Sequence, residues 1–137
     1  VVLPERIDAV FLDWISRQRL NVVIVIHSNH PNEIDDQVCT ALQQLNGAGI
    51  TLLTQSVLLK GINDRTETLV ELGKKLFSCG VLPSYLHMLD RVQGAAHFAV
   101  SEEHARQLMR DCHAILPGYL VPRLVRETAG EPGKTWI

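Results

Sequence analysis

The sequence has no apolar run near the roughly 20 residues that a membrane-crossing helix needs, and no signal-peptide pattern. Charge of one sign is also lacking. Thirteen Lys and Arg stand against 15 Asp and Glu, for a net charge of −2 and a pI near 6.3. That balance argues against a general nucleic-acid binder and against a polybasic membrane surface. No low-complexity tract or strong repeat interrupts the chain, and 46% hydrophobic residues exclude a disordered one. The 137 residues suit one domain, since domains run to roughly 100–200.

Cysteine is scarce too. Cys39, Cys79 and Cys112 are odd in number and more than 30 residues apart, with no CxxC pair. The chain therefore builds neither a zinc ribbon nor an iron–sulfur cluster from its own residues. Each Cys falls within an apolar helical pattern, so all three are expected to pack as small buried side chains. Unpaired thiols point to a reducing, cytoplasmic setting.

A complete phosphate loop is missing as well. Thr128-Ala129-Gly130-Glu131-Pro132-Gly133-Lys134-Thr135 ends like G-x-x-x-x-G-K-[ST], but Thr128 stands where the first Gly is required. A lysine on a Gly/Pro loop beside a strand end has another use. It can form a Schiff base with pyridoxal phosphate. Residue chemistry alone favours an exposed, mobile lysine.

What is there alternates between helix and strand. Pro4 opens a helical pattern with Ile7, Val10, Phe11, Trp14 and Ile15 on one face. The β-branched run from Val22 to Ile26 reads as a strand covered on both faces. A second helix carries Ile34, Val38, Ala41, Leu42 and Leu45, and a strand spans Ile50–Thr54. Asp64 and Glu67 suggest a capping box for a third helix with Leu69, Leu72, Leu76 and Phe77, stopped by Gly80. Leu82–Leu89 reads as a strand. Ser101 caps a fourth helix with Glu102 and Glu103 in its first turn and Ala105, Leu108, Met109 and Cys112 on its face. The helix stops at Pro117-Gly118, and Tyr119–Val125 reads as the last strand. This alternation predicts right-handed βαβ units, a parallel sheet and an α/β fold.

In such folds chemistry gathers where the carboxyl ends of the strands converge. Those ends carry His27-Ser28-Asn29-His30-Pro31-Asn32-Glu33, then Gln55-Ser56, then His87-Met88-Leu89-Asp90, then Arg126-Glu127. Each residue also has an ordinary reading. His27 and His30 can be loop hydrogen-bonding groups, Asp90 a cap or loop charge, and Glu127 a partner for Arg123 or Arg126.

Four stretches together carry more. They are 27–33, Gln55-Ser-Val-Leu-Leu-Lys-Gly-Ile-Asn-Asp64, Tyr85-Leu-His-Met-Leu-Asp90 with Gln93-Gly-Ala-Ala-His-Phe98, and Gly118-Tyr-Leu-Val-Pro122 with Gly133-Lys134. In order and spacing they resemble the lysine 2,3-aminomutase family, radical S-adenosylmethionine enzymes that also use pyridoxal phosphate. The resemblance runs from Pro4 to Lys134. The stretch 89–98 looks more like the bacterial branch that supplies β-lysine for elongation factor P, with the catabolic clostridial branch close behind.

The resemblance implies a parallel-stranded partial TIM-type barrel, with residues 1–137 forming the C-terminal half of one radical S-adenosylmethionine barrel domain. It implies an isomerase that moves the α-amino group of L-lysine to C3. Lys134 matches the lysine that holds pyridoxal phosphate. Asp90 matches a carboxylate that binds the distal ammonium of the substrate. Glu127 falls where the family has a second carboxylate, an Asp. His27 and Gln55 match residues that contact S-adenosylmethionine. Glu131 and Pro132 interrupt the family's Gly-rich stretch before the lysine. The family's CxxxCxxC loop for a [4Fe–4S] cluster has no counterpart here, so the chain alone is expected to be inert. No nucleic-acid or membrane partner is expected. A half-barrel with two open sheet edges is expected to self-associate.

Two other readings compete. A metal-dependent α/β-barrel hydrolase would use His27, His30, His87 and Asp90 around a divalent ion. A non-catalytic α/β module would carry these polar strand ends as loop solvation only.

Overall fold

A computed structural model describes residues 3–90 and 93–137. Helices α1 (Ala9–Ser16), α2 (Asp36–Gly47), α3 (Thr66–Ser78) and α4 (Glu102–Ile115) alternate with strands β1 (Val23–His27), β2 (Thr51–Leu58), β3 (Val81–Met88) and β4 (Arg123–Arg126). A two-residue strand, β5 (Thr135–Trp136), closes the series. The sheet order is β1-β2-β3-β4-β5, parallel from β1 to β4 and antiparallel between β4 and β5. Each crossover moves one strand over in the same direction, so the helices share one face of the sheet, as in a barrel. No helix among the described residues is long and apolar enough to cross a membrane.

The helix-facing side of the sheet makes the core. Leu52, Leu58, Val81, Leu86, Met88 and Leu124 alternate with residues of the opposite side and are all buried. They meet Val38, Leu42 and Leu45 of α2, Leu69, Leu72 and Leu76 of α3, and Ala105, Leu108, Met109 and Cys112 of α4. The apolar stripes of these three helices thus hold at i, i+3, i+4 spacing, except that Ile34 is buried ahead of α2 rather than in it and Phe77 of α3 is exposed.

Several expectations change at the element ends. Pro4 opens a short 3₁₀ turn, and α1 begins at Ala9, where the Asp8 carboxylate accepts from the Phe11 amide at 2.8 Å. The α1 stripe is mostly uncovered: Ile15 is buried, but Val10 is 77% and Trp14 59% exposed. β1 is an edge strand, so Val23 and Val25 are exposed rather than covered on both faces. Asp64 does not cap α3. Its carboxylate accepts from the Gly61 amide at 2.8 Å, and Arg65 stands at the N-cap without a side-chain bond. Phe77 is exposed and packs its ring against Tyr119, centroids 5.7 Å apart. Tyr119 lies in a 3₁₀ turn, and the last parallel strand starts later, at Arg123. Gly80 is a true stop, with φ +83°. A Cβ there would stand 2.9 Å from the Asn46 side chain.

The loops after β1 and β2 are tied by one buried amide. Asn63 is fully buried, accepts from the Leu59 amide at 2.7 Å, and donates to the carbonyls of Asn29 at 2.8 Å and Val57 at 2.9 Å. Asn29 accepts in turn from the Val57 amide at 2.8 Å. Asn63→Ala leaves these backbone groups without partners, each costing on the order of 1–3 kcal/mol. We expect a loss of about 3 kcal/mol, read as a lower urea midpoint with an unchanged slope.

The cysteines depart furthest from expectation. Cys39 of α2 and Cys79, just past α3, are joined in a disulfide across 40 residues, with Cα atoms 5.1 Å apart. Only Cys112 keeps the buried free-thiol role, and burial pushes its pKa up to about 11. The pairing joins separate helices, which spacing along the chain cannot reveal. It also removes the ground on which an odd cysteine count pointed to a reducing compartment. Unfolding without reductant should expose one titratable thiol per chain, and three after reduction. Reduction should lower unfolding free energy by about 4 kcal/mol on loop-closure grounds.

Candidate active site at the carboxyl ends of the strands

The side of the sheet away from the helices presents a ladder of polar residues. Register aligns His27 of β1 with Gln55 of β2, Gln55 with Tyr85 of β3, and Tyr85 with Arg123 of β4. The next row holds Val57, His87 and Val125, with Trp136 of β5 alongside. His27, Gln55 and His87 therefore share one face near one end of the sheet.

That alignment depends on an irregularity in β3. Thr54 pairs with Pro83, but Gln55 pairs with Tyr85, so Ser84 is an extra residue. Pro83 has no N–H to give the ladder, and such positions favour bulges. The bulge reverses the side-chain phase. Val81 faces the helices before it, and Leu86 and Met88 face them after it. Without the bulge, strict alternation would turn Tyr85 and His87 into the helix layer.

Lys134 and Glu127 come next. Glu127 lies one residue past β4 and Lys134 one before β5, so the antiparallel pairing brings them face to face. The Lys134 Nζ is 3.2 Å from Glu127 Oε1 and sits 5.5 Å from the centre of the Tyr85 ring. Glu127 therefore pairs with neither arginine. Arg126 binds Glu102 at 3.2 Å, and Arg123 lies 4.9 Å over the Trp136 ring. Lys134 is no free tail either, since its side chain is only 31% exposed.

His87 stands at the centre of this group. Its Nδ1 is 3.9 Å from the same Glu127 oxygen, its ring meets the edge of Tyr85 at 5.9 Å, and its side chain is 14% exposed. Its Nε2 is buried and has no hydrogen-bond partner among the described residues. Burial holds its pKa below the ordinary 6.5, and the Lys134 ammonium lowers it further. Glu127 and Asp90 oppose that, and His27 lowers it slightly. Asp90, exposed two residues beyond β3, is thus electrically part of the group.

His30 goes elsewhere. Its Nδ1 accepts from the Asn32 amide at 3.2 Å, while Glu33 accepts from the amides of Asn29 at 2.6 Å and His30 at 2.8 Å. These residues hold the loop in shape. Among the described residues no three His, Cys, Asp or Glu gather to hold a metal ion. The four-residue metal centre of the hydrolase reading is therefore not assembled.

Tyr85 and His87 are the members that pattern reading missed as partners of Lys134. The signal was Pro83, which marks the break in strand phase.

No protein-family profile matches the chain. Its fold is shared with solved structures of other proteins. A radical SAM methyltransferase from Sphaerobacter thermophilus superposes with a TM-score of 0.65 at 16% identity, over 88% of this chain and 38% of that one. A domain of a pyruvate-formate lyase-activating enzyme from Bacteroides vulgatus gives 0.57 at 12% identity, over 88% and 75%.

Along nearly its whole length the sequence is similar to proteins named L-lysine 2,3-aminomutase. It is 52% identical to the one from Haemophilus influenzae and 49% to the one from Escherichia coli, each over 135 residues. Identity to the Clostridium subterminale protein is 36%, over 98% of this chain and 32% of that protein. The chain spans about 40% of the length of the first two relatives, with 98% of its own residues matched.

The His87 environment makes a pH prediction. Its folded pKa lies below its unfolded one, so the unfolded chain binds the extra proton between the two. Stability should be fully present above about pH 6.5 and fall as pH drops toward the lowered folded pKa. Glu127→Gln removes a charge that favours protonation, so a nuclear magnetic resonance titration should give His87 a still lower midpoint.

Proposed function

We propose that this chain is the C-terminal part of a lysine 2,3-aminomutase barrel, a radical S-adenosylmethionine isomerase that converts L-lysine to β-lysine. The observation that carries the reading is the half-buried Lys134 held at the strand ends by Glu127, with Tyr85 beneath its ammonium. Homology to proteins named L-lysine 2,3-aminomutase supports it.

The residues suit pyridoxal phosphate. Lys134 is a primary amine at the sheet edge, beside a ring and among ionisable groups, and would hold the cofactor. When bound, that cofactor supplies a conjugated ring that delocalises an unpaired electron, which no side chain here does. His27 and Gln55, side by side across β1 and β2, are the residues proposed to contact S-adenosylmethionine. They offer hydrogen-bonding groups on an open face.

The described residues do not suit a [4Fe–4S] cluster. Cys39 and Cys79 are bonded to each other and Cys112 is buried alone. No step is assigned through that group in this chain. The cluster, in this proposal, belongs to the rest of the longer protein, and this chain alone yields no β-lysine.

The chain's own contribution is charge and position. Asp90 and Glu127 lie at adjacent strand ends and would accept the distal ammonium of lysine, each charge-assisted contact worth roughly 1.5–3 kcal/mol. Glu127 cannot serve Lys134 and a substrate ammonium equally well at once. Engagement of the Lys134 nitrogen frees it. In that reading Glu127 is the carboxylate whose partner changes during the cycle.

A role for the product in modifying elongation factor P rests on the branch-like stretch 89–98. A cytoplasmic setting goes with the same proposal, because reduced clusters need a reducing compartment. The Cys39–Cys79 bridge is at odds with that setting, and the thiol count decides whether it persists.

The test is covalent capture. Incubation with pyridoxal phosphate, borohydride reduction and peptide mass analysis should place one pyridoxyl group on Lys134, absent from Lys134→Ala. Equal labelling of the surface lysines would sink the assignment.

A further inference from the structure

A histidine stands over the carboxylate that changes partners. His87 Nδ1 and Lys134 Nζ approach the same oxygen of Glu127, at 3.9 and 3.2 Å. The lysine holds the shorter contact. The histidine stands just outside hydrogen-bonding distance, within reach of a small turn of the exposed Glu127 side chain.

Among the described residues, the two arginines of β4 are committed. Arg126 is bound to Glu102, and Arg123 rests on Trp136. His87 itself is held by the edge of Tyr85 and by the strand, so its ring is a rigid reference while Glu127 is not. With a proton on Nδ1, a neutral His87 would donate toward Glu127 and leave its buried Nε2 as the lone-pair nitrogen. That form needs no net charge in a half-buried place.

We propose that His87 is the positioning residue for Glu127, taking up the carboxylate that Lys134 releases when the lysine nitrogen is engaged. The inference rests on the reading of Lys134 as a cofactor-holding lysine. It adds a residue that keeps Glu127 at the strand ends between partners. A carboxylate with no neighbour would swing into solvent, and one held only by Lys134 would be lost with it.

The groups that face His87 make the device readable. Lys134 on the β5 side and His27 on β1 oppose its protonation, while Glu127 beyond β4 and Asp90 beyond β3 favour it. Gln55 and Val57 of β2 are uncharged. Removing the Lys134 ammonium should therefore both free Glu127 and strengthen the His87 contact.

The experiment is a histidine-detected magnetic resonance titration of the protein, with His87 identified by loss of its signal in His87→Asn. In Lys134→Met the His87 midpoint should shift upward from its native value. Loss of the Lys134 charge raises the midpoint by itself, so the contact is read from the ring nitrogens. In Lys134→Met the neutral His87 should carry its proton on Nδ1. Adding Glu127→Gln to Lys134→Met should lower the midpoint from its Lys134→Met value and remove the preference for a proton on Nδ1. A tautomer balance in Lys134→Met unchanged from the native protein would overturn the proposal. So would an Nδ1–H preference that persists without the Glu127 carboxylate. Should pyridoxal phosphate fail to label Lys134 while these shifts occur, the aminomutase reading falls and the His87–Glu127 coupling stands. Labelling of Lys134 with an unmoved His87 tautomer balance keeps the reading and removes the coupling.

Discussion

One extra residue in β3 governs what the strand ends can do. Parallel register leaves no freedom in which side of a strand a residue faces, because side chains alternate strictly. Pro83 and Ser84 interrupt that alternation between the Thr54–Pro83 and Gln55–Tyr85 pairs. Val81 can then pack with the helices at the start of the strand and Leu86 and Met88 at its end. Tyr85 and His87 are left on the opposite side, where Lys134 and Glu127 meet them. The core gains a continuous apolar layer, and the other side gains its polar centre, from the same irregularity.

Helices α2, α3 and α4 were legible because their burial follows period, and so was β2. That strand nevertheless runs past the expected end at Thr54 to Leu58 and takes in Gln55 and Ser56. Leu69, Leu72 and Leu76 repeat at helical spacing, and Leu52, Thr54, Ser56 and Leu58 at strand spacing. Elements whose form comes from distant contacts were not legible. β5 is two residues after a Gly/Pro loop and exists because β4 offers it an edge. Phe77 repeats at helical spacing yet faces Tyr119 at the surface, since the stripe of α3 is wider than the layer beneath it. The α1 stripe has the same fate for a different reason. Beside an edge strand there is too little sheet to cover Val10 and Trp14.

The candidate site divides along the same line. Its location could be read from polar residues following apolar strands, because loops at those ends converge in any parallel α/β fold. Its internal wiring could not. Lys134 and Glu127 are seven positions apart in a Gly/Pro-rich stretch, and only the β4–β5 hairpin makes them partners. His30 sits in the same motif as His27 but spends its ring nitrogen on the Asn32 amide. Asn63 looked like one letter of a resemblance and turns out to join two loops through three backbone groups. Residues that hold a loop and residues that face a ligand are chemically alike, and only geometry separates them.

Charge accounting explains why this cluster can be both stable and responsive. Lys134 and Glu127 neutralise one another, Asp90 leaves one negative charge in solvent, and His87 stays uncharged because burial and Lys134 both disfavour its proton. Burying a fixed second cation at His87 would cost desolvation with no carboxylate of its own to offset it. A neutral imidazole avoids that cost and still offers a hydrogen-bond donor. The group is therefore balanced while Lys134 keeps its partner, and any chemistry that takes the lysine nitrogen away shifts the balance toward His87. A lysine in place of His87 would compete for Glu127 at all times. A phenylalanine would never compete, so among these three side chains histidine alone answers to the state of Lys134.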